Sequence, residues 1–307
     1  MTAIIEYFSI IKQVRSEKTR KKFLKIQFPL FILWEKNTRC AEFRHLALNV
    51  ITKTTKVYAF EFIKQSVRRF YNMFINRCHN AHEMSNCMKE NFINHVQNLL
   101  CKKSIIRIAI ATGSTLEEFI GLLYNANIPL HKLIIYVVDE YSGIDFWDSR
   151  SCCIDLINAL GKSFNKIHSL KTFSKEGYIE EIATYNNDLK KNGLDICVLG
   201  VGNDGHIGFC YPPIIEQLNE FYVLLPLDDM RKKEHVEKGW FKSICEVPDT
   251  VITLSLWGMF QASVLMVGAI CDEKKDIIPK LVLQEEHYKN CPVLYLCQHN
   301  NLTIYVG

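Results

Sequence analysis

Leu194-Asp195-Ile196-Cys197-Val198-Leu199 is a run of apolar and β-branched residues that breaks abruptly into Gly200-Val201-Gly202-Asn203-Asp204-Gly205-His206-Ile207-Gly208-Phe209. A short apolar run without alternation reads as a strand covered on both faces, and such strands belong to mostly parallel sheets packed between helices. Gly200, Gly202 and Gly205 remove three Cβ atoms within six residues, so the chain can turn tightly and a ligand can approach its backbone. Asp204 and His206 then stand two residues apart at the carboxyl end of a central strand, where open α/β sheets bind ligands. The same turn is compatible with a structural role in which the imidazole satisfies a local hydrogen bond. Spacing alone leaves both readings open.

The flanking segments repeat the scheme of strand, turn and helix. Met88, Phe92, Val96 and Leu99 recur at helical spacing and predict a helix over residues 85–100, ahead of a strand from Ile105 to Ile110. That strand runs into Ala111-Thr112-Gly113-Ser114-Thr115, and a helix begins with Leu116 to Ile120. A turn of small residues before a helix offers backbone N–H groups, hydroxyls and the helix dipole to an anion. The alternative is that Ser114 or Thr115 simply caps the helix.

Leu133 to Val138 reads as a second buried strand ending in Asp139-Glu140-Tyr141, so an acid again sits at a strand end. Neighbouring parallel strands would bring Asp139 near Asp204 and His206, with at least one of the two adjacent carboxyls facing a cleft. Asp148 to Cys153 is expected to continue this wall, with Ser149 and Arg150 at its rim. Tyr178 to Lys191 is amphipathic and Gly193 ends it. Beyond Pro212-Pro213 the chain is polar as far as Pro248 and is expected to form a helix-and-loop lid carrying Arg231-Lys232-Lys233 and Lys238. Val251 to Leu256 and Leu265 to Ile270 read as further strands. Alternating strands and helices define an α/β fold with a largely parallel sheet.

Residues 200–207 resemble the GxGxDGHI signature of the glucosamine-6-phosphate deaminase family, whose relatives include the 6-phosphogluconolactonases. Ala111 to Thr115 is similar to that family's sugar-phosphate loop, and Val138-Asp139-Glu140-Tyr141-Ser142-Gly143 to its MDEYxG motif. Cys271-Asp272-Glu273-Lys274 occupies the place of its phosphate-binding lysine, and Pro292 to His299 resembles its late LQxH strand. These five places occur in the family's order over residues 85–307, with residues 1–55 outside the match as a basic extension and 56–307 as the expected domain.

The resemblance implies a three-layer, modified Rossmann-like fold and an enzyme that converts an amino sugar phosphate to a keto sugar phosphate and ammonia. It implies Asp139 as the base at C2, His206 as the ring-opening group and Asp204 as the acid coupled to it. Thr112, Gly113, Ser114, Thr115 and Lys274 would bind the phosphate, and Lys238 stands at the offset from Pro248 where the family has a phosphate-binding arginine. No metal or organic cofactor is implied.

Two positions depart from the family pattern. Tyr211 replaces a glutamate that assists the histidine, and Val223 and Leu225 stand where bacterial deaminases carry effector-binding Arg and Lys. Deamination is therefore the leading expectation, with lactone hydrolysis and a non-catalytic sugar-phosphate binder as alternatives.

Charge and cysteine content bound the partners. Residues 1–50 hold 10 Lys/Arg and 4 Asp/Glu, which leaves 27 basic and 29 acidic residues in the remainder, so the body is near neutral. Neither nucleic acid nor membrane is an expected partner. Phe28 to Trp34 is far shorter than the ~20 residues a membrane helix needs. The expected partner is a phosphorylated sugar, and a homo-oligomer is allowed. The 12 cysteines include several in apolar segments, as at Cys101, Cys197 and Cys297, which fits reduced thiols and a cytoplasmic setting. Cys78-His79-x-x-His82-x4-Cys87 contains metal-binding residue types without a common zinc spacing.

Overall fold

The computed structural model describes residues 73–145, 147–160, 169–171, 177–212, 219–270 and 291–307, all within the compact unit Ser66–Gly307. The expected boundary at residues 55/56, the basic extension and Lys274 lie outside the described residues.

The described residues begin with β1 (Met73–Arg77) and α1 (Ala81–Leu100). Asn80 caps α1, its side chain accepting from the Glu83 N–H, so the helix starts four residues before its apolar repeat suggests. β2 (Ile106–Ile110), α2 (Glu117–Leu123), β3 (Leu133–Val137), β4 (Asp139–Tyr141), α3 (Cys152–Leu160) and β5 (Ser169–Lys171) follow. Then come α4 (Tyr178–Asn192), β6 (Ile196–Gly200), β7 (Tyr222–Pro226), α5 (Asp229–Glu237) and β8 (Thr250–Leu254). The chain closes with α6 (Leu256–Phe260), β9 (Val264–Ala269), α7 (Pro292–Leu296) and β10 (Leu302–Val306).

Seven strands form one sheet in the order β1-β10-β9-β6-β2-β3-β5, and every pairing in it is parallel. β6, the run that opened the sequence analysis, lies in the middle, between β2 and β9. Ile196 to Leu199 are fully buried there, which is why the run is unbroken by polar residues. The expected three-layer, Rossmann-like α/β architecture is the one observed.

A second sheet was not legible in the sequence. β4, β8 and β7 form an antiparallel three-stranded sheet, with Asp139 opposite Thr253 and Val223 opposite Thr253 on the other side. Asp139 is thus not the carboxyl tip of a parallel strand but the first residue of a short strand in this smaller sheet. The segment expected to form a helix-and-loop lid also contains β7, in which Tyr222 is buried and Leu224 and Pro226 are exposed.

Pro292 to His299, expected as a strand, forms α7 and a turn instead. Pro at the first helical turn has the φ a helix needs and no N–H left unpaired. His299 lies beyond this helix, its Nε2 2.8 Å from the Ala262 carbonyl.

Candidate active site

The turn after β6 is assembled by its own backbone. The Gly202 N–H donates to the His206 carbonyl at 2.9 Å and the Gly205 N–H to the Gly202 carbonyl at 3.0 Å. From outside, α7 supports the turn through the Val293 N–H, which donates to the Gly205 carbonyl at 3.1 Å. His206 folds back over Gly202 so closely that a Cβ there would lie 2.0 Å from its Cε1. Glycine at 202 is therefore a requirement of the imidazole's position and not of the turn alone.

His206 Nδ1 lies 2.5 Å from Asp204 Oδ1, and the His206 backbone N–H donates to the same oxygen at 3.1 Å. A carboxylate at Nδ1 fixes the proton there and leaves Nε2 as the nitrogen available to a reactant. The other Asp204 oxygen accepts from Arg231 Nη2 at 3.0 Å. Burial alone would raise the Asp204 carboxyl, but the His206 hydrogen bonds and the Arg231 charge outweigh it and hold the group well below the ordinary range.

Asp139 meets this turn at Gly208. A Cβ on Gly208, which has a φ of +54°, would stand 3.0 Å from Asp139 Oδ2, so the carboxylate lies against the backbone two residues beyond His206. Burial, and then the negative charge of Glu140, push the Asp139 carboxyl up to about 7. Glu140 points the other way and is fully buried. It accepts from Ser151 Oγ at 2.5 Å and from the Cys152 and Cys153 N–H groups at 3.1 and 3.0 Å, tying β4 to the start of α3. Of the two adjacent carboxyls, one is in the site and one is structural.

The turn at 112–115 reaches the same strand end. Thr115 Cβ lies 3.1 Å from where a Gly200 Cβ would be, at the last residue of β6. The N-cap of α2 is Leu116, whose side chain makes no cap hydrogen bond, and not Ser114 or Thr115. Gly113 adopts a φ of +102°, and Ser114 is exposed beside it.

Lys238 is the C-cap of α5, exposed, with Nζ 4.8 Å from the centre of the Trp240 ring. Arg150, expected at the rim, is engaged by Asp148 at 2.6 Å and sits 5.5 Å over the Phe241 ring. His82 of the Cys/His stretch pairs with Glu118. Among the described residues no three His, Cys, Asp or Glu side chains converge in a way that could hold a metal ion.

Two residues that border the site, Arg231 and His235, were not among those expected there. Arg231 lies 4.1 Å over the Tyr211 ring in addition to holding Asp204. His235, four residues later and so on the same face of α5, is fully buried. Its Nδ1 is 3.0 Å from the Tyr141 hydroxyl and its Nε2 is 3.2 Å from the Tyr211 hydroxyl. Burial, then the charges of Lys238, His206 and Arg231, push His235 down to about 4, so it is neutral near pH 7. The available signal was the four-residue spacing after Asp228, whose side chain caps α5 by accepting from the Arg231 N–H. Tyr211 packs on the site itself, its ring centre 4.8 Å from that of His206.

A parallel α/β sheet with an acid-coupled histidine at the tip of its central strand, and a second acid facing the same turn, defines the class: a Rossmann-like protein with a cluster of polar side chains at the carboxyl edge of the sheet, where such folds bind ligands. The sequence profile of the family described as glucosamine-6-phosphate isomerases/6-phosphogluconolactonase matches residues 79–305, and the chain belongs to that family.

Among its relatives is a glucosamine-6-phosphate deaminase of Malacoplasma penetrans, 26% identical over 250 residues that cover 76% of this chain and 98% of the relative. Another, from Lysinibacillus sphaericus, is 26% identical over 200 residues, covering 64% of this chain and 86% of the relative. In fold the chain is similar to a monomeric glucosamine-6-phosphate deaminase, with a TM-score of 0.63, 20% identity and coverage of 76% of this chain and 97% of that one. It is also similar to a 6-phosphogluconolactonase from Thermotoga maritima, with a TM-score of 0.59, 14% identity and coverage of 76% and 99%. Among the described residues no helix is long and apolar enough to cross a membrane.

Proposed function

We propose that the protein is a glucosamine-6-phosphate deaminase-like enzyme, taking glucosamine 6-phosphate and water to fructose 6-phosphate and ammonia. The observation that carries this reading is the contact of Asp139 with the turn that holds the Asp204–His206 pair. Isomerisation needs two separate proton-handling groups, one to open the hemiacetal and one to take the proton from C2. His206, held by Asp204 with Nε2 available, suits the first role. Asp139, with its carboxyl pushed up to about 7, suits the second, because a base poised near the working pH both takes and returns a proton. The phosphate would rest on the Thr112, Gly113, Ser114 and Thr115 turn, with Lys238 and Lys274 as cationic partners.

Hydrolysis of 6-phosphogluconolactone is a second reading, favoured by Tyr211. Burial raises this phenol above its ordinary range, with Arg231 opposing and Asp139, Glu234 and Asp204 adding to the rise. It is neutral at physiological pH and so does not supply the carboxylate that the deaminase pattern places there. Lactone hydrolysis needs only one base to activate water.

Ammonia release from glucosamine 6-phosphate and acid release from 6-phosphogluconolactone, measured on the same preparation, separate the two readings. Changing His206 to Ala is expected to lower whichever turnover is found by about 10²–10⁴-fold while leaving the far-ultraviolet circular dichroism unchanged. Full activity in that variant would remove the proposed site. Turnover of neither substrate, with sugar phosphate still bound, would make the protein a binder.

A further inference from the structure

His235 has no place in the chemistry outlined above, yet it is fully buried and both its ring nitrogens are engaged by phenols. We propose that His235 is a positioning residue that acts through Tyr211: the Tyr141–His235–Tyr211 chain fixes the ring of Tyr211 against His206 and so sets the imidazole's orientation. The proposal rests on the reading of His206 as the group that meets substrate.

The argument begins with what holds His206. On one side the imidazole fills the space left by the absent Cβ of Gly202. It also meets Tyr211, ring centre to ring centre at 4.8 Å and tilted by 50°. Asp204 secures one nitrogen, but a single hydrogen bond leaves the ring free to rock about it. The Tyr211 ring limits that rocking only if it is itself held.

Besides packing near the Phe209 ring, 6.5 Å away between centres, the Tyr211 ring is held by Arg231 and His235. Arg231 lies 4.1 Å over it while donating to Asp204, which joins Asp204, His206, Tyr211 and Arg231 in a closed circuit of contacts. His235 fixes the ring's far end, because its Nε2 meets the hydroxyl at 3.2 Å. A neutral imidazole has one donor and one acceptor nitrogen, so it donates to one phenol oxygen and accepts from the other phenol. Tyr141 anchors the relay, its ring packed edge-on to Phe241 with centres 4.9 Å apart. A carboxylate at position 211 would work on His206 by charge. A tyrosine so anchored works by shape, and it requires His235.

Two readouts test this in the full-length protein. The first is the Cε1–H proton resonance of His206, assigned by its loss in His206→Ala, which senses the ring current of Tyr211. In His235→Leu this resonance is expected to move toward its free-imidazole position. In Tyr211→Phe, which loses the hydroxyl but keeps the ring, it is expected to move the same way. In His235→Gln, which can accept from one phenol and donate to the other, it is expected to stay near the wild-type position. The second is turnover on the better of the two substrates. His235→Leu should lower kcat about 10- to 100-fold with KM nearly unchanged, His235→Gln should restore most of it, and His235→Leu should add nothing in a Tyr211→Phe background.

An unmoved His206 resonance in a folded His235→Leu protein, or losses from His235→Leu and Tyr211→Phe that multiply in full, would overturn the proposal. If His235→Leu does not fold, an unmoved resonance in Tyr211→Phe overturns it equally. A wild-type protein inactive on both substrates counts against the proposed function, and the resonance arm still decides this inference.

Discussion

Asp139 and Glu140 are adjacent carboxyls with opposite fates, and the pleat of a three-residue strand is the cause. Successive side chains leave a strand on opposite faces, so one acid goes to the turn at Gly208 and the other to the start of α3. Burial, with the charge of Glu140 beside it, raises the Asp139 carboxyl from the ordinary 3.8 to about 7. The fold therefore favours its protonated form. That stability is fully present below pH 3.8 and is lost as pH rises through about 7. Asp139→Asn removes the penalty, so the variant is expected to be more stable than wild type at pH 8, by on the order of 1–3 kcal/mol, and nearly equal to it at pH 4. The same substitution should abolish deamination, and wild-type turnover should fall as pH drops below about 7, where the base is protonated. Urea denaturation at the two pH values and a pH–rate profile check both sides. Equal stability at pH 8 would mean that Asp139 is solvated. The sequence placed this acid near Asp204 and His206 through the expected pairing of neighbouring strands, and family resemblance gave it a role; its altered acidity comes from burial and the charge of Glu140, neither of which a motif records.

Elements were legible where burial is two-sided and local. β3, β6 and β9 are unbroken apolar runs because both faces of the central sheet are covered, and β2 is interrupted only by Arg107, which pairs with Asp188. α4 was legible from its amphipathic repeat and Gly193, whose φ of +77° ends it. β7 and α7 were not. Tyr222-Val223-Leu224-Leu225-Pro226 becomes a strand only by pairing with β8, about thirty residues away, and nothing in its own composition demands that partner. α7 is five residues long, too short for a repeat to show. Junctions between elements follow the same pattern, and Glu140 is the strongest case. Its buried carboxylate accepts from Tyr141, Ser151, Cys152 and Cys153, joining β4 to α3 over 13 residues of sequence. Glu140→Ala removes the buried acceptor of these four hydrogen bonds, and it is expected to cost about 2–4 kcal/mol in urea denaturation. A loss below about 1 kcal/mol would show that water replaces the carboxylate.

At the scale of the whole molecule, the site depends on how the small antiparallel sheet is fastened to the large parallel one. Leu254 donates its N–H to the Val138 carbonyl at 2.7 Å, directly after β3. Asn186 of α4 clamps Tyr222 of β7 at both backbone groups, donating to its carbonyl at 3.0 Å and accepting from its N–H at 2.7 Å. The Tyr222 hydroxyl donates to the Val137 carbonyl at 2.5 Å, so one residue joins α4, β7 and β3. Asn186→Ala removes both of its buried hydrogen bonds to Tyr222 and is expected to cost about 2–4 kcal/mol. It should also lower kcat, because the small sheet carries Asp139; an unchanged melting temperature would show that the clamp is redundant. By itself the sequence determined the parallel sheet, the glycine-rich strand tip and the family, because each is written in contiguous residues whose pattern has one physical meaning. Only the tertiary structure decided that Glu140 is bound into the start of α3, that Arg231 and His235 border the site, and that the Tyr211 ring packs on that of His206. Those outcomes depend on pairings between distant segments, and the energy of such a pairing belongs to neither segment alone.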